Sequence, residues 1–469
     1  MANKTNYDAI IVGAGPAGMT AAIALANRGG RLALLEMSDD VGGAMRINRG
    51  QLSGAGTKLQ AEQGISDTPQ EHFDDAMRLS RGTSDPDFLK LAVELQGPFI
   101  DWLMEHGFDM EDNMPCIIHG NEAYNKSRTY WGRELGISLI KTLKPMLDEK
   151  IEAGKIDLLL HTEARELIAD NGKVTGLKTA DGLSLYGRSI VLASGGYAAN
   201  PELFAQLHDG ATLWSGSYEY STGQGIEMGQ RVGANVVLAD TLLPNFGGFL
   251  DHTLDTPRYR APGGLTPQDR QPWEIVVNRQ GKRFYPEDNE SVDERTVRLL
   301  EQENSQAWVI FDQTIRQSAP TIFSFFPDMA ERFFEPESSM ENADSLEELA
   351  DKCGIDKNAL MNTVSRYNMA VEKGVDDEFG RKHMPVKIEN GPFYALPIVS
   401  YTVRGYAGLK VDLKFRALDE QDEPIEGLYA VGEILGSLLS GKGSVGGMSL
   451  APALAFGQYL GEILPVDPV

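Results

Sequence analysis

Apolar residues fall into unbroken runs at three places, and glycine follows each run. Ala9-Ile10-Ile11-Val12 leads into Gly13-Ala14-Gly15-Pro16-Ala17-Gly18. Ile190-Val191-Leu192-Ala193 leads into Ser194-Gly195-Gly196, and Leu428-Tyr429-Ala430-Val431 leads into Gly432-Glu433. Each run predicts a strand that ends in a glycine turn. After the first glycine turn comes an apolar helical stretch, then Leu32-Ala33-Leu34-Leu35 ending at Glu36, so residues 9–36 predict strand, turn, helix and strand. Asp170-Asn171-Gly172-Lys173 predicts a hairpin over Leu167 to Lys178. Leu346, Leu349 and Ala350 repeat at helical spacing, as do Leu360, Val364, Tyr367 and Val371, with Gly354-Ile355-Asp356 between them and Asp356 placed as an N-cap. Phe323-Ser324-Phe325-Phe326-Pro327 reads as core packing, with the wall of an apolar pocket as its alternative.

The glycines of the first turn sit where a dinucleotide needs them. Gly13 permits the tight turn, Gly15 lets backbone approach a pyrophosphate, and Gly18 lets helix and strand pack closely. The helix N-terminus offers unpaired N–H groups to the phosphates, and Glu36 is spaced to accept from a ribose. A bare GxGxxG is weak; one that follows a strand, opens a helix and has its acid at the right distance is strong.

Length and charge narrow the class. A chain of 469 residues exceeds what one core usually holds, so two domains are expected. A net charge of −25 argues against nucleic acid and anionic membranes as partners. No apolar run reaches transmembrane length, and Met-Ala-Asn-Lys-Thr-Asn-Tyr leads straight into the first strand, leaving no room for a signal peptide. Two distant cysteines, Cys116 and Cys353, fit a reducing compartment, so a cytoplasmic location is expected. The seven histidines show no metal-ligand spacing, and no metal is expected.

The loops Asp39-Asp40-Val41-Gly42-Gly43-Ala44 and Ser53-Gly54-Ala55-Gly56-Thr57 are rich in backbone and poor in side chains, which suits a pyrophosphate and a flat ring and favours FAD over NAD. No second strand-linked GxGxxG follows, which argues against a built-in NAD(P)H domain. Gly446-Gly447-Met448-Ser449-Leu450-Ala451-Pro452-Ala453 predicts a helix N-terminus whose dipole would face negative charge developing on the ring.

With these segments, and with Thr222-Gly223-Gln224-Gly225, Val277-Asn278-Arg279-Gln280-Gly281-Lys282-Arg283-Phe284 and Gly391-Pro392-Phe393-Tyr394-Ala395, the chain resembles the flavoprotein superfamily of fumarate reductase and 3-ketosteroid dehydrogenase over nearly its whole length. The C-terminal glycine motif is closer to the ketosteroid branch. The resemblance implies an α/β fold: a Rossmann-like, glutathione-reductase-type FAD-binding domain from residues 1–239 and 391–469, with an α+β substrate or capping domain inserted at 240–390. It implies FAD contacts at Gly13, Gly15, Ala17, Gly18, Glu36, Gly43, Ala44, Ser53, Gly54, Ala55 and Gly56. Further contacts are implied at Ala164, Ala193, Ser194, Gly195, Thr222, Gly225, Gly432, Glu433, Gly447, Ser449 and Leu450. The FAD is expected to be noncovalent, because no histidine precedes His72.

The same resemblance implies hydride transfer between flavin N5 and a carbon beta to an activating group, with a proton moved at the alpha carbon. The deciding positions depart from both branches. Ser291 stands where fumarate reductases carry a catalytic arginine and ketosteroid dehydrogenases a tyrosine, with Arg295 four residues further on. Ser444 replaces a carboxylate-binding arginine, and Arg404 replaces a histidine. Lys442 stands at a ketone-binding tyrosine, while Gly446 keeps the N–H that completes that carbonyl site. Tyr406 and Tyr401 are candidates for proton transfer, with Tyr124 and Tyr130 weaker ones. The expected function is alpha,beta-dehydrogenation of a ketone, such as 4-oxocyclohexanecarboxylate or a 3-ketosteroid-like substrate. Electrons would pass to an external acceptor (oxygen, a quinone or a flavoprotein). Reduction of a small enoate is the alternative, and a flavin-binding protein without turnover is the third reading.

Overall fold

The computed structural model describes residues 6–238, 242–336 and 338–466. Its architecture is mixed α/β around a parallel sheet, as the resemblance implies. The main path of that sheet runs, edge to edge, through Arg416–Leu418, Pro424–Ala430, Ser184–Leu192, Asn6–Val12, Leu32–Leu35 and Ile156–Leu159. The three glycine-ended strands are its adjacent central members. Val12 pairs with Leu192, and Leu192 with Ala430, all in parallel register. Their carboxyl ends therefore coincide, which brings the turns at Gly13, Ser194 and Gly432 side by side. The predicted hairpin forms from Ala164–Asp170 and Lys173–Thr179 and joins Ser184–Leu192 antiparallel.

Helix α1 (Pro16–Asn27) starts immediately after the first turn, with Gly15 as its N-cap and proline at its first position. Gly13 has φ +99°, and a Cβ there would stand 2.5 Å from the Ala193 carbonyl oxygen. A Cβ on Gly18 would lie 1.9 Å from the Gly13 carbonyl, so the helix presses on the turn only because residue 18 has no side chain. The chain returns to this body at the end. The C-terminal helix Leu450–Ile463 crosses α1 so closely that Cβ atoms on Gly457 and Gly461 would meet the carbonyls of Ala17 and Ala21 at 2.3 and 2.4 Å.

A second sheet, with its own apolar core, runs through Arg258–Arg260, Asn245–Asp251, Phe393–Thr402, Gln306–Asp312 and Ile275–Val277, each antiparallel to its neighbour on this path. Phe393–Thr402 is its middle strand, although numerically it falls within the 391–469 segment expected to complete the FAD-binding part. The expected boundary at 239/240 lies outside the described residues. The paired helices form as predicted, over Leu346–Cys353 and Lys357–Lys373. Gly354 is left-handed at φ +66°, and Asp356 accepts from the Ala359 N–H at 2.8 Å.

Arg283, of the Gly-Lys-Arg-Phe motif, is structural. Its guanidinium bridges Glu287 at 2.6 Å and Asp376 at 3.0 Å, and Arg381 reaches Glu287 at 3.1 Å, all nearly fully buried. Burial alone would raise the Glu287 carboxyl, but the two guanidinium charges outweigh it and hold it below its ordinary value. Arg283→Met leaves these carboxylates short of a partner and should cost about 3–5 kcal/mol in denaturant unfolding; an unchanged midpoint would show that the cluster adds nothing.

Candidate active site

The coincident strand ends open into one cavity of about 680 Å³. The helix N-termini at Gly15-Pro16-Ala17 and Ser449-Leu450 both face it, giving it two positive dipole ends. Of the residues expected to hold the cofactor, Gly13, Gly15, Ala17, Glu36, Gly43, Ala44, Ala164, Ala193, Ser194 and Gly195 form its wall. Gly225, Gly432, Glu433, Gly447, Ser449 and Leu450 do so as well.

Six others stand behind that wall. Gly18 packs on Gly13. Ser53 supports Gly447, where a Cβ would come within 2.7 Å of it, and its hydroxyl lies 3.4 Å from Met448 Sδ. Gly54 and Ala55 press on Gly97 of the helix Pro86–Glu105. Gly56 turns the chain at φ +72°, and Thr222 donates to the Gln224 side chain.

The wall suits a flavin dinucleotide. A Cβ on Gly15 would meet nothing within 4 Å, so open space for a pyrophosphate lies over the start of α1. Glu36 is buried at the ribose end, accepting from Ala14 N–H through Oε2 and from Ser38 through Oε1, each at 2.9 Å. The Ser194 hydroxyl is buried on the wall with no hydrogen-bond partner among the described residues, which leaves it for a ligand. Glu433, beneath the opposite side, accepts from Gly405 N–H at 3.2 Å. Burial pushes its carboxyl up to about 7, against that hydrogen bond and the Arg404 charge.

Among the catalytic candidates, Tyr401 is on the wall, and so is Arg404. Its Nη1 donates to Ser440 Oγ at 2.9 Å and Ser449 Oγ at 3.4 Å. Four others lie off the wall. Tyr406 is buried behind it, with its hydroxyl 3.3 Å from Thr402 Oγ1. Lys442 anchors its N–H on Thr83, and its side chain does not line the cavity. The Gly446 carbonyl is held by the Tyr124 hydroxyl at 2.7 Å. Ser291 caps the helix Val292–Leu300 and donates to Glu122 at 2.8 Å. Arg295, one turn later, spends its guanidinium on the Leu265 carbonyl at 2.7 Å.

The cavity instead gathers cations that the sequence did not single out: Arg49, Arg258 and Arg260. The guanidinium carbon of Arg49 sits 3.5 Å from the centre of the Phe325 ring, and that of Arg260 sits 3.6 Å from the Phe326 ring. Phe325 and Phe326 thus line the pocket. Arg260 also pairs with buried Asp251 at 3.2 Å. Among the described residues, no carboxylate lies within ion-pair distance of Arg49, Arg258 or Arg404. The one sequence signal for Arg49 was its place between two glycine-rich flavin loops, Gly42-Gly43 and Ser53-Gly54.

Two glycine-led turns, two helix N-termini and a buried ribose acid around one cavity define a dinucleotide-dependent oxidoreductase. The chain belongs to the FAD binding domain family, whose model matches residues 8–450. It is 28% identical over 464 residues to a fumarate reductase (cytochrome) of Shewanella frigidimarina, covering 97% of this chain and 76% of that protein. It is 32% identical over 377 residues to an NADH:acrylate oxidoreductase of Vibrio harveyi, covering 77% of this chain and 35% of that protein. A 3-ketosteroid delta1-dehydrogenase structure from Sterolibacterium denitrificans superposes with a TM-score of 0.78 at 22% identity, covering 98% of this chain and 99% of that one, a likeness of fold. FAD is the cofactor, and the chain is a flavin-dependent oxidoreductase related to fumarate reductases. Among the described residues no helix is long and apolar enough to cross a membrane, and no cluster of side chains is arranged to hold a metal.

Glu36→Ala should weaken FAD binding by roughly 10–100-fold, the scale of hydrogen bonds to a charged group, read from release of flavin fluorescence on dilution. Near Ser291, the Asp293 carboxyl is pushed up to about 6, first by burial and then by Glu122, with Arg81 at 2.7 Å opposing. The folded state thus keeps a proton that the unfolded chain has lost, so this group's contribution to stability falls as pH rises from about 4 to about 6. Asp293→Asn should raise the thermal midpoint relative to wild type at pH near 7 but not near 4.5. Equal differences at both would refute the assignment.

Proposed function

We propose that this flavoenzyme works on the carbon–carbon bond next to a carboxylate, reducing a small enoate or, in reverse, desaturating the acid. The observation that carries this reading is the set of four arginines on one cavity wall, of which, among the described residues, only Arg260 is ion-paired. Guanidinium binds carboxylate with two parallel hydrogen bonds and keeps its charge when buried, so such a wall selects anions.

Bound flavin supplies the hydride exchange. The side chains do the rest. Arg404, held by Ser440 and Ser449, can orient a carboxylate and stabilise the negative charge that grows on it as the beta carbon gains hydride. The cation expected for a neutral ketone, Lys442, does not reach the cavity, so the ketone reading loses its carbonyl donor. The relatedness to an acrylate and a fumarate oxidoreductase supports the enoate reading.

The test is anaerobic mixing of the dithionite-reduced holoenzyme with acrylate, fumarate, urocanate and 2-cyclohexenone. At least one enoate should restore the oxidised flavin spectrum, and Arg404→Met should lower kcat/KM for it by about 10²–10³-fold. Reoxidation by cyclohexenone alone, insensitive to Arg404→Met, would sink the proposal in favour of a ketone or enone.

A further inference from the structure

The positions that supply a proton in related enzymes are occupied here by side chains off the cavity, so the proton must come from elsewhere. The wall carries four tyrosines besides its arginines: Tyr218, Tyr220, Tyr259 and Tyr401. Tyr218 stands near Ser38 and Glu36, at the ribose end, and rings 218 and 220 pack together at 5.4 Å. Tyr259 packs on Trp214, with ring centres 5.1 Å apart. Tyr401 differs in its surroundings.

Its ring is slotted between two glycines. A Cβ on Gly248 would stand 2.3 Å from Tyr401 Cδ1, and a Cβ on Gly216 would stand 2.9 Å from Cδ2. Any side chain at either place would push the ring aside. Asn245 is the register partner of Tyr401 on the neighbouring strand. The Asn245 side chain and the Ala261 backbone are hydrogen-bonding neighbours of the phenol oxygen, both favouring its ionised form. The Arg260 and Arg49 charges act in the same sense, each with a carboxylate nearby, Asp251 on Arg260 and Asp269 near Arg49. Burial pushes this phenol up, and these four groups pull against it. With its ring fixed in this slot, Tyr401 lines the cavity beside Arg260 and Arg49.

We propose that Tyr401 is the catalytic acid that protonates the substrate's alpha carbon, and the base that removes that proton in reverse. This rests on the enoate reading above. The step balances. The hydride and its electron pair reach the beta carbon from the reduced flavin, and the C=C pair becomes the alpha carbon's bond to the proton leaving Tyr401. The phenolate that remains, held by Asn245, Ala261, Arg260 and Arg49, recovers a proton from water. Arg404, three residues along the same chain segment, places the carboxylate end. Tyr406 cannot substitute, because it is buried behind the wall and does not line the cavity.

The test is Tyr401→Phe holoenzyme, reduced with dithionite and mixed anaerobically with acrylate, fumarate and urocanate in stopped flow. Reoxidation should slow by about 100-fold or more, the usual contribution of a positioned acid. Propanoate binding, read as a shift of the flavin band, should change by less than about tenfold, the scale of one lost hydrogen bond. Reoxidation by ferricyanide, which needs no proton at carbon, should match wild type, and a merely structural role for Tyr401 would not separate these readouts. Wild-type enoate rates in Tyr401→Phe would overturn the assignment. If cyclohexenone but no enoate reoxidises the wild type, the enoate reading falls. The same variant on cyclohexenone then decides Tyr401: slowing supports it and an unchanged rate overturns it. A wild-type flavin reoxidised by none of the four overturns both.

Discussion

Backbone must touch backbone where Gly13, Gly18 and Ala193 meet, and the cofactor site rests on that contact. The Gly13 turn can lie against the Ala193 carbonyl, and α1 against the Gly13 carbonyl, only because neither glycine has a Cβ. Three central strands then end level, their turns share one crevice, and the dipole of α1 points into it. The C-terminal helix completes the frame by the same device. Gly457 and Gly461 let it ride on the backbone of α1, so its own N-terminus reaches the other end of the cavity. Burial of the apolar strands supplies cohesion, but these glycine contacts set the geometry.

The second sheet gives the cavity its chemistry. Arg258, Tyr259 and Arg260 arrive on one strand, Asn245 on the next, and Tyr401 on the middle strand. That strand runs on to Arg404 near the C-terminal helix. Arg49 comes from the flavin-binding side and meets Phe325 from the other. The wall is thus shared between a rigid dinucleotide frame and a β-layer that carries charge and phenol. Guanidiniums laid on aromatic faces keep their charge while losing part of their water, which strengthens their hold on an anion.

Around residue 291, where the resemblance implied a catalytic side chain, the residues do structural work. Ser291 caps a helix and Arg295 braces a carbonyl. Asp293 meets Glu122 and Arg81 where the two parts of the molecule touch. Catalytic roles left by these residues would fall to side chains from other strands, and a fold whose sites are built on loops and strand ends tolerates such exchange.

By itself the sequence determined the cofactor frame. Glycine spacing, the acid at residue 36 and the three apolar runs are local patterns with local physical meaning, so the strands, α1, the hairpin, the paired helices and most of the FAD wall were legible. It did not determine which polar side chains share the substrate cavity. Arg49, Asn245, Arg260 and Tyr401 are scattered over more than three hundred residues, and of these only Tyr401 stood out in the sequence, as one of several tyrosine candidates. Lys442 and Ser291 matched active positions by motif yet do not line the cavity. Side-chain direction depends on strand register and on what packs behind, such as the glycine slot around Tyr401. Those are long-range contacts that no stretch of chain encodes, so tertiary structure alone decided the reactive wall.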